Sequence, residues 1–198
     1  MTPAGLMRWA GLAAVASAVL SAMGDLLRLF VDVESSETAT TTPYFLVFFL
    51  YLLGAVLLLL GLVGLYASQS EAAGVLGLVG FLVAFLGTAL LAGVLWFELF
   101  ITPSLATRAP GLAEAELGLA GFILVFLLGV VGWVLFGAAT LRARTYPRWA
   151  AVLLMIGGVV AFVPVPLAGI VFSVALAWLG LVLFTGGSGP AERPSRVS

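Results

Sequence analysis

The sequence predicts an all-α, polytopic membrane protein, a bundle of six transmembrane helices with both termini in the cytoplasm. Hydrophobic residues make up 63% of the chain and charged residues only 9%, whereas about a quarter of the residues in a soluble domain are charged. The mean hydropathy is +1.26. The apolar residues form six runs without the period-two alternation of barrel strands, and this pattern favours helices.

The lengths of the runs support membrane crossing. A hydrocarbon core of about 30 Å needs roughly 20 helical residues at 1.5 Å each. The predicted spans, in chain order, lie near residues 6–30, 44–66, 72–101, 117–141, 147–163 and 167–184. They form a single transmembrane domain over residues 1–185. The remaining residues, 186–198, are rich in Gly, Ser, Pro and Arg, a composition typical of a disordered tail.

The first span also fits a second interpretation. Arg8 precedes an apolar stretch that contains Ala14-Val15-Ala16, a sequence of the kind that signal peptidase cleaves. However, the apolar run continues past this site to Phe30. We therefore expect a retained helix, with the cleaved signal peptide as the alternative.

The fifth span is the shortest, because residues 147–163 give only about 25 Å of helix. Pro164 and Pro166 follow it, and proline cannot continue a helix. Either the last two spans both cross, with local thinning of the bilayer, or they form a shallow re-entrant hairpin. The nearly unbroken apolar run at 167–184 favours two crossings.

Arginine is the only cationic residue type in the chain, and it sets the predicted orientation. With six spans, one side of the membrane receives the termini and six arginines: Arg8, Arg142, Arg144, Arg148, Arg193 and Arg196. The other side receives only Arg28 and Arg108. Because positive residues are retained in the cytoplasm, both termini are predicted to lie there.

Small residues form a stripe along the third span. Gly77, Gly80 and Gly87 recur on one face at spacings of three and four with other small residues between them. Such a face lets another helix approach closely, and close contact drives helix association in lipid. We expect this face to pack against a helix.

The charged ends of the first and third spans form the only candidate site. It comprises Asp25, Arg28, Asp32 and Glu98. Charges near lipid are costly unless paired, and Arg28 can reach Asp25 or Asp32 along its own helix, or Glu98 across helices. The cluster is interpreted either as ion pairs that fix helix register or as an acidic vestibule that attracts a cation or a lipophilic amine.

Composition argues against most enzymes. The chain has no His, Cys or Lys, so an imidazole base, a thiolate, a Schiff base and the common zinc or haem ligands are all missing. Gly24-Asp25 resembles part of the G-x-G-D signature of intramembrane aspartyl proteases, but Ala22 stands where that signature has its first Gly. We expect no catalytic residue, no cofactor and no metal. Six cytoplasmic arginines in short segments do not form a nucleic-acid surface.

Three short stretches are typical of one group of proteins: residues 61–66, the Trp96-Phe97-Glu98 end of the third span, and residues 144–149 before the fifth. In these stretches, and in composition over most of its length, the chain resembles six-span bacterial integral membrane proteins to which no activity is assigned. The resemblance implies a multi-pass protein of the bacterial inner membrane. It transfers no catalytic residue.

Two functional hypotheses remain. The first is a non-catalytic accessory or assembly subunit, which packs against itself or against a membrane-protein partner through its small-residue stripes. The alternative is a small transporter or binding protein for a lipophilic or weakly cationic solute that enters at the acidic cluster in the outer leaflet. Lipid is the surrounding medium in both cases.

Overall fold

The computed structural model of the protein describes residues 3–35, 37–109, 119–161 and 167–186. All regular secondary structure in these ranges is α-helical, as the sequence predicts. The helices are α1 (Pro3–Leu27), α2 (Thr42–Ala67), α3 (Ser70–Phe100), α4 (Thr102–Arg108), α5 (Leu119–Ala143), α6 (Arg148–Val160) and α7 (Ile170–Thr185). The predicted proline turn at 163–166 and the predicted disorder beyond Gly186 concern residues outside the described ranges.

The helix bounds agree with the predicted spans to within a few residues. The largest addition is α4, which lies between the third and fourth predicted spans. Pro103 lies in the first turn of α4, where its fixed φ favours helix and its missing N–H costs nothing. Gly74 has a φ of +56° and interrupts α3 near its start, a conformation that glycine adopts readily.

Four stretches are long and apolar enough to cross a membrane, judged by length and composition: Gly5–Leu27, Thr42–Ala67, Ser70–Arg108 and Ala120–Ala143. Helices α6 and α7 are also apolar but contain only 13 and 16 residues, or about 20 and 24 Å of helix. The described chain is thus compatible with a membrane protein, with four candidate spans and two shorter apolar helices.

Six of the helices form a closed ring in chain order. Helix α1 packs against α2, α2 against α3, α3 against α5, α5 against α6, α6 against α7, and α7 closes the ring against α1. One end of the ring, here the turn end, carries the short connections at 68–69 and 144–147. The opposite end, the loop end, carries the last residues of α1, α3 and α6.

Glycines bring α3 and α5 into backbone contact. A β-carbon on Gly80 would lie 2.6 Å from the backbone nitrogen of Phe136, and one on Gly87 would lie 2.7 Å from that of Gly129. Gly77 is also buried, and its β-carbon position is 3.9 Å from the β-carbon of Ala139. The small-residue face of α3 is therefore occupied by a helix of the same chain.

Helices α1 and α7 meet in the same manner. A β-carbon on Gly11 would lie 2.7 Å from the carbonyl oxygen of Gly180 and 2.7 Å from the backbone nitrogen of Phe184. On the other side of α1, Gly61 of α2 lies against Ala14. Because both contacts leave no room for a side chain, glycine allows the first helix to close the ring between its second and last members.

Candidate functional site in the centre of the ring

The ring encloses a cavity of about 400 Å³. Side chains or backbone from all six ring helices line it, and it reaches the exposed Glu34 in the loop that follows α1. Small-molecule sites are typically clefts of about 300–1,000 Å³. The cavity therefore has the size of a ligand site and opens at the loop end.

The lining residues show where the cavity stops. Its deepest residues on five of the helices are Ser21, Leu58, Gly87, Trp133 and Ser173. About one helical turn further toward the turn end, the corresponding residues are buried and do not line the cavity. These are Ala18, Leu62, Ala84, Phe136 and Leu176. Since Arg28 and Ser21 are seven residues apart, the cavity is roughly 10 Å deep along α1.

The cavity wall is mostly apolar and partly aromatic. Trp133 is 4% exposed, and its ring packs edge-on against Phe172, with 4.8 Å between the ring centroids. The polar lining residues are Ser21, Asp25, Arg28, Glu34, Tyr51, Thr88 and Ser173. An apolar wall with a few placed polar groups is the usual composition of a ligand pocket, in which the polar groups fix orientation.

Asp25 is the central polar group of this cavity. It is only 7% exposed, and its Oδ1 accepts a hydrogen bond of 2.6 Å from the hydroxyl of Tyr51. Its Oδ2 is buried and has no hydrogen-bond partner. Gly24 makes this arrangement feasible, because a β-carbon there would lie 2.8 Å from the ring of Tyr51. Gly24 thus leaves room for the ring of Tyr51, and Asp25 accepts a hydrogen bond from the hydroxyl of that ring.

Helix α7 approaches the free oxygen of Asp25 from the other side. A β-carbon on Gly169 would lie 2.5 Å from Oδ2, so the absence of a side chain there leaves room for the carboxylate. One turn further along α7, Ser173 is 4% exposed and its hydroxyl also has no partner. Two unpaired buried polar groups therefore lie along one side of the cavity.

Arg28 lines the same cavity and lies directly after the end of α1, three residues from Asp25. Its positive charge attracts the Asp25 carboxylate, and its side chain also interacts with the hydroxyl of Tyr51. Within the described ranges Arg28 forms no ion pair with Asp25, Asp32 or Glu98. The position of Asp25 is instead fixed by a neutral donor, Tyr51.

Glu98 lies outside the cavity. Its Oε2 accepts hydrogen bonds from the hydroxyl of Tyr44, at 2.8 Å, and from Oγ1 of Thr102, at 2.9 Å. These contacts join the start of α2 to the junction of α3 and α4. Asp32 is exposed in the loop after α1 and accepts a hydrogen bond from the backbone of Glu34. The structure thus brings Asp25 and Arg28 together and separates both from Asp32 and Glu98.

The sequence interpretation did not include Tyr51, Thr88 or Ser173 in the candidate site. Tyr51 is the single polar side chain in the apolar stretch 45–65, and a buried tyrosine hydroxyl usually has a partner. That rule could have marked Tyr51. Thr88 donates to the carbonyl of Ala84, at 2.8 Å, so its hydroxyl is satisfied within its own helix.

The turn end of the ring is closed by polar contacts between its two turns. Gln69 is 2% exposed and donates a hydrogen bond of 2.9 Å from Nε2 to Oγ1 of Thr140. The hydroxyls of Ser68 and Tyr146 are 2.6 Å apart. A separate hollow of about 300 Å³ lies against these turns. The central cavity does not reach it, because a buried apolar layer intervenes.

Known proteins offer no assignment for this site. No family model matches the chain, and neither the curated proteins nor the solved structures provide a match. In the described ranges, no three acidic side chains converge in a way that could hold a metal ion. The groups available to a ligand are the carboxylates of Asp25 and Glu34, the Arg28 guanidinium and the hydroxyls.

Proposed function

We propose that all six ring helices cross the membrane of a bacterial cell, with both termini in the cytoplasm. The arginines support this orientation, because Arg8, Arg142, Arg144 and Arg148 lie at the turn end, while Arg28 and Arg108 lie at the loop end. By the positive-inside rule the turn end faces the cytoplasm. The cavity then opens to the outer side of the inner membrane.

The contacts of α7 support a full crossing over a re-entrant hairpin. At one end of α7, Gly169 lies against Asp25, and at the other end the ring of Phe184 lies 5.1 Å from the guanidinium carbon of Arg8. Residues 8–25 of α1 span roughly 26 Å. Helix α7 therefore packs alongside α1 over a length that approaches the thickness of the hydrocarbon core, about 30 Å.

In this membrane, the protein acts as a non-catalytic binding protein or small transporter for a lipophilic solute that carries a cationic hydrogen-bond donor. The observation that carries this function is the buried Oδ2 of Asp25, which has no partner and belongs to a residue of a mostly apolar cavity wall. A buried carboxylate oxygen without a partner is costly. A donor on a bound solute would remove that cost, and the apolar wall would bury the rest of the solute.

The accessory-subunit hypothesis receives less support. It drew on the small-residue faces, which allow helices from different chains to approach. Here Gly80 and Gly87 contact α5, and Gly11 contacts α7, so these faces are used inside the ring. An association through other surfaces would need side chains that the glycine pattern does not identify.

Binding of dodecylamine tests the proposal. Purified protein in a neutral detergent would be titrated with dodecylamine and examined by native mass spectrometry. The wild type should retain one amine, and Asp25→Asn should weaken binding by roughly tenfold or more, because a hydrogen bond to a charged group contributes about 1.5–3 kcal/mol. Asp32→Asn is the matched control, since it makes the same change in an exposed loop outside the cavity. Equal amine binding by the wild type and Asp25→Asn would refute the proposed site.

A further inference from the structure

Three charged side chains line the cavity. Glu34 is exposed at its opening, whereas Asp25 is buried, Arg28 is half-buried, and these two form no ion pair with each other. Asp25, in the last turn of α1, and Arg28, directly after the helix, both line the same cavity. The backbone N–H of Arg28 still donates to the carbonyl of Gly24, as in a helix. Residues three apart on a helix have β-carbons about 5–6 Å apart, so both charged groups are within reach of one small head group. Neither has an ion-pair partner among the described residues.

This pair of charges bears on which solute fits. A purely cationic solute that approaches Asp25 also approaches the Arg28 guanidinium, and a purely anionic solute meets the Asp25 carboxylate. In either case Asp25 or Arg28 keeps an uncompensated charge in a cavity of low polarity, which is unfavourable. Glu34 does not change this balance, because it is exposed at the opening and is hydrated there. A solute with both an ammonium and an acidic group would compensate both charges.

A buried hydrogen-bond acceptor without a partner belongs to a residue of the cavity wall, where we expect the ammonium to bind. Oδ1 of Asp25 is occupied by Tyr51, whereas Oδ2 is free. The unpaired hydroxyl of Ser173 lies on the same side of the cavity and can accept a further N–H. Toward the loop end, the guanidinium of Arg28 offers several N–H donors, which suit a carboxylate or phosphate.

We propose that the cavity binds the head group of a zwitterionic amphiphile, with a primary ammonium at Oδ2 of Asp25 and an acidic group at Arg28. The apolar part of the molecule lies against Leu58, Leu91, Trp133 and Phe172. This inference rests on the proposed function and deepens it by naming the solute class. Two sources share this chemistry: an aminoethyl-phosphate lipid head group and an amphiphilic α-amino acid.

Amphiphiles with alkyl chains of similar length isolate the effect of head-group charge on binding affinity. The probes are dodecylamine, dodecyl phosphate, lauroyl lysophosphatidylethanolamine and 2-aminotetradecanoic acid, each titrated into the purified protein in neutral detergent and followed by native mass spectrometry. We expect at least one zwitterion to bind roughly tenfold or more tightly than either singly charged probe, as one additional charge-assisted hydrogen bond would give. The lysolipid and the amino acid distinguish the two sources.

Variants assign each charge to its residue. Arg28→Gln should reduce zwitterion binding to the level of dodecylamine, and Asp25→Asn should remove the preference for an ammonium. Arg108→Gln is the matched control for Arg28, because Arg108 is exposed in α4 and does not line the cavity. It should leave every affinity unchanged.

Two results would overturn the inference in different ways. If dodecylamine binds as tightly as both zwitterions and binds more tightly still to Arg28→Gln, the solute is a simple cation and only the proposed function stands. If no probe distinguishes the wild type from Asp25→Asn, both the zwitterion and the proposed function fail.

Discussion

Tyr51 and Asp25, on neighbouring helices, are joined by a hydrogen bond of 2.6 Å that occupies one carboxylate oxygen and leaves the other free. Both side chains line the central cavity. The bond therefore has two consequences. It anchors α1 to α2 at the loop end, and it leaves the buried Oδ2 without a partner beside Gly169.

Tyr51→Phe should lower stability and ligand binding together. The substitution keeps the ring against Gly24 but removes the donor to Asp25. Hydrogen bonds between membrane helices contribute about 0.6 kcal/mol on average, and those to charged groups more, so we expect a loss of about 1–2 kcal/mol in unfolding free energy. Unfolding in detergent measures this loss.

Tyr66→Phe is the matched control for Tyr51→Phe. Tyr66 stacks on Phe81, with 4.5 Å between the ring centroids, and it is not involved in the cavity. It should unfold almost as the wild type does. Equal destabilisation by the two substitutions would mean that the Tyr51 hydroxyl has no special role.

Gly169→Ala should weaken binding more than it weakens the fold. Its β-carbon would lie 2.5 Å from Oδ2 of Asp25, and the carboxylate would have to move from the position where it meets a ligand. The backbone is not strained, because Gly169 has an ordinary φ of −73°. We expect roughly tenfold weaker binding of dodecylamine with little change in melting temperature. Gly93→Ala, in open space on α3, should alter neither property.

How much of this arrangement can be read from the sequence depends on distance along the chain. The helices follow from local composition, because a long apolar run can satisfy its backbone in lipid only as a helix. Closure of the ring by α1 and α7 could not be foreseen, since Gly11 and Gly180 are distant in sequence and each has several possible neighbours. Asp25 and Arg28 were recognised because one helical turn brings them together.

Contacts between different helices could not be predicted in the same way. Pairing of Arg28 with Glu98 required a particular rotation of α1 and α3 about their axes, and the spacing of residues within each helix does not specify that rotation. In the folded chain α2 lies beside both helices, and its residues Tyr44 and Tyr51 supply the donors instead. Hydroxyl donors from an intervening helix thus replace a predicted ion pair.

Glu98 should consequently be coupled to Tyr44 and not to Arg28. In a double-mutant cycle of Tyr44→Phe and Glu98→Gln, we expect an interaction energy of about 0.5–2 kcal/mol, because the two side chains share a hydrogen bond. Arg28→Gln and Glu98→Gln should be additive within about 0.5 kcal/mol. Unfolding free energies in detergent give both cycles. Strong coupling of Glu98 to Arg28 would contradict the separation of the two sites.

Close packing of α3 against α5 should make Gly80 intolerant of a large side chain. Gly80→Leu would drive the helices apart, because the nearest atoms belong to the backbone of Phe136 and cannot rotate away. We expect a loss of about 1–3 kcal/mol, as for overpacked cores. Gly93→Leu adds the same side chain to a position with no atom within 4 Å, and Leu82→Ala removes one that is 48% exposed. Both should be much milder, and similar effects for all three would mean that the stripe is unimportant.

Cysteine labelling can test the orientation, because the chain has no cysteine of its own. Thr40 is exposed between α1 and α2 at the loop end, and Thr145 lies in the connection between α5 and α6 at the turn end. If the arginine-rich turn end faces the cytoplasm, an impermeant maleimide should label Thr40→Cys in intact cells and should label Thr145→Cys only after permeabilisation. The opposite pattern would invert the protein in the membrane, and the cavity with its free Asp25 oxygen would then open to the cytoplasm. Labelling of both sites in intact cells would instead exclude the six-span arrangement. In that arrangement three crossings, by α2, α3 and α5, separate the two connections and place them on opposite sides of the membrane.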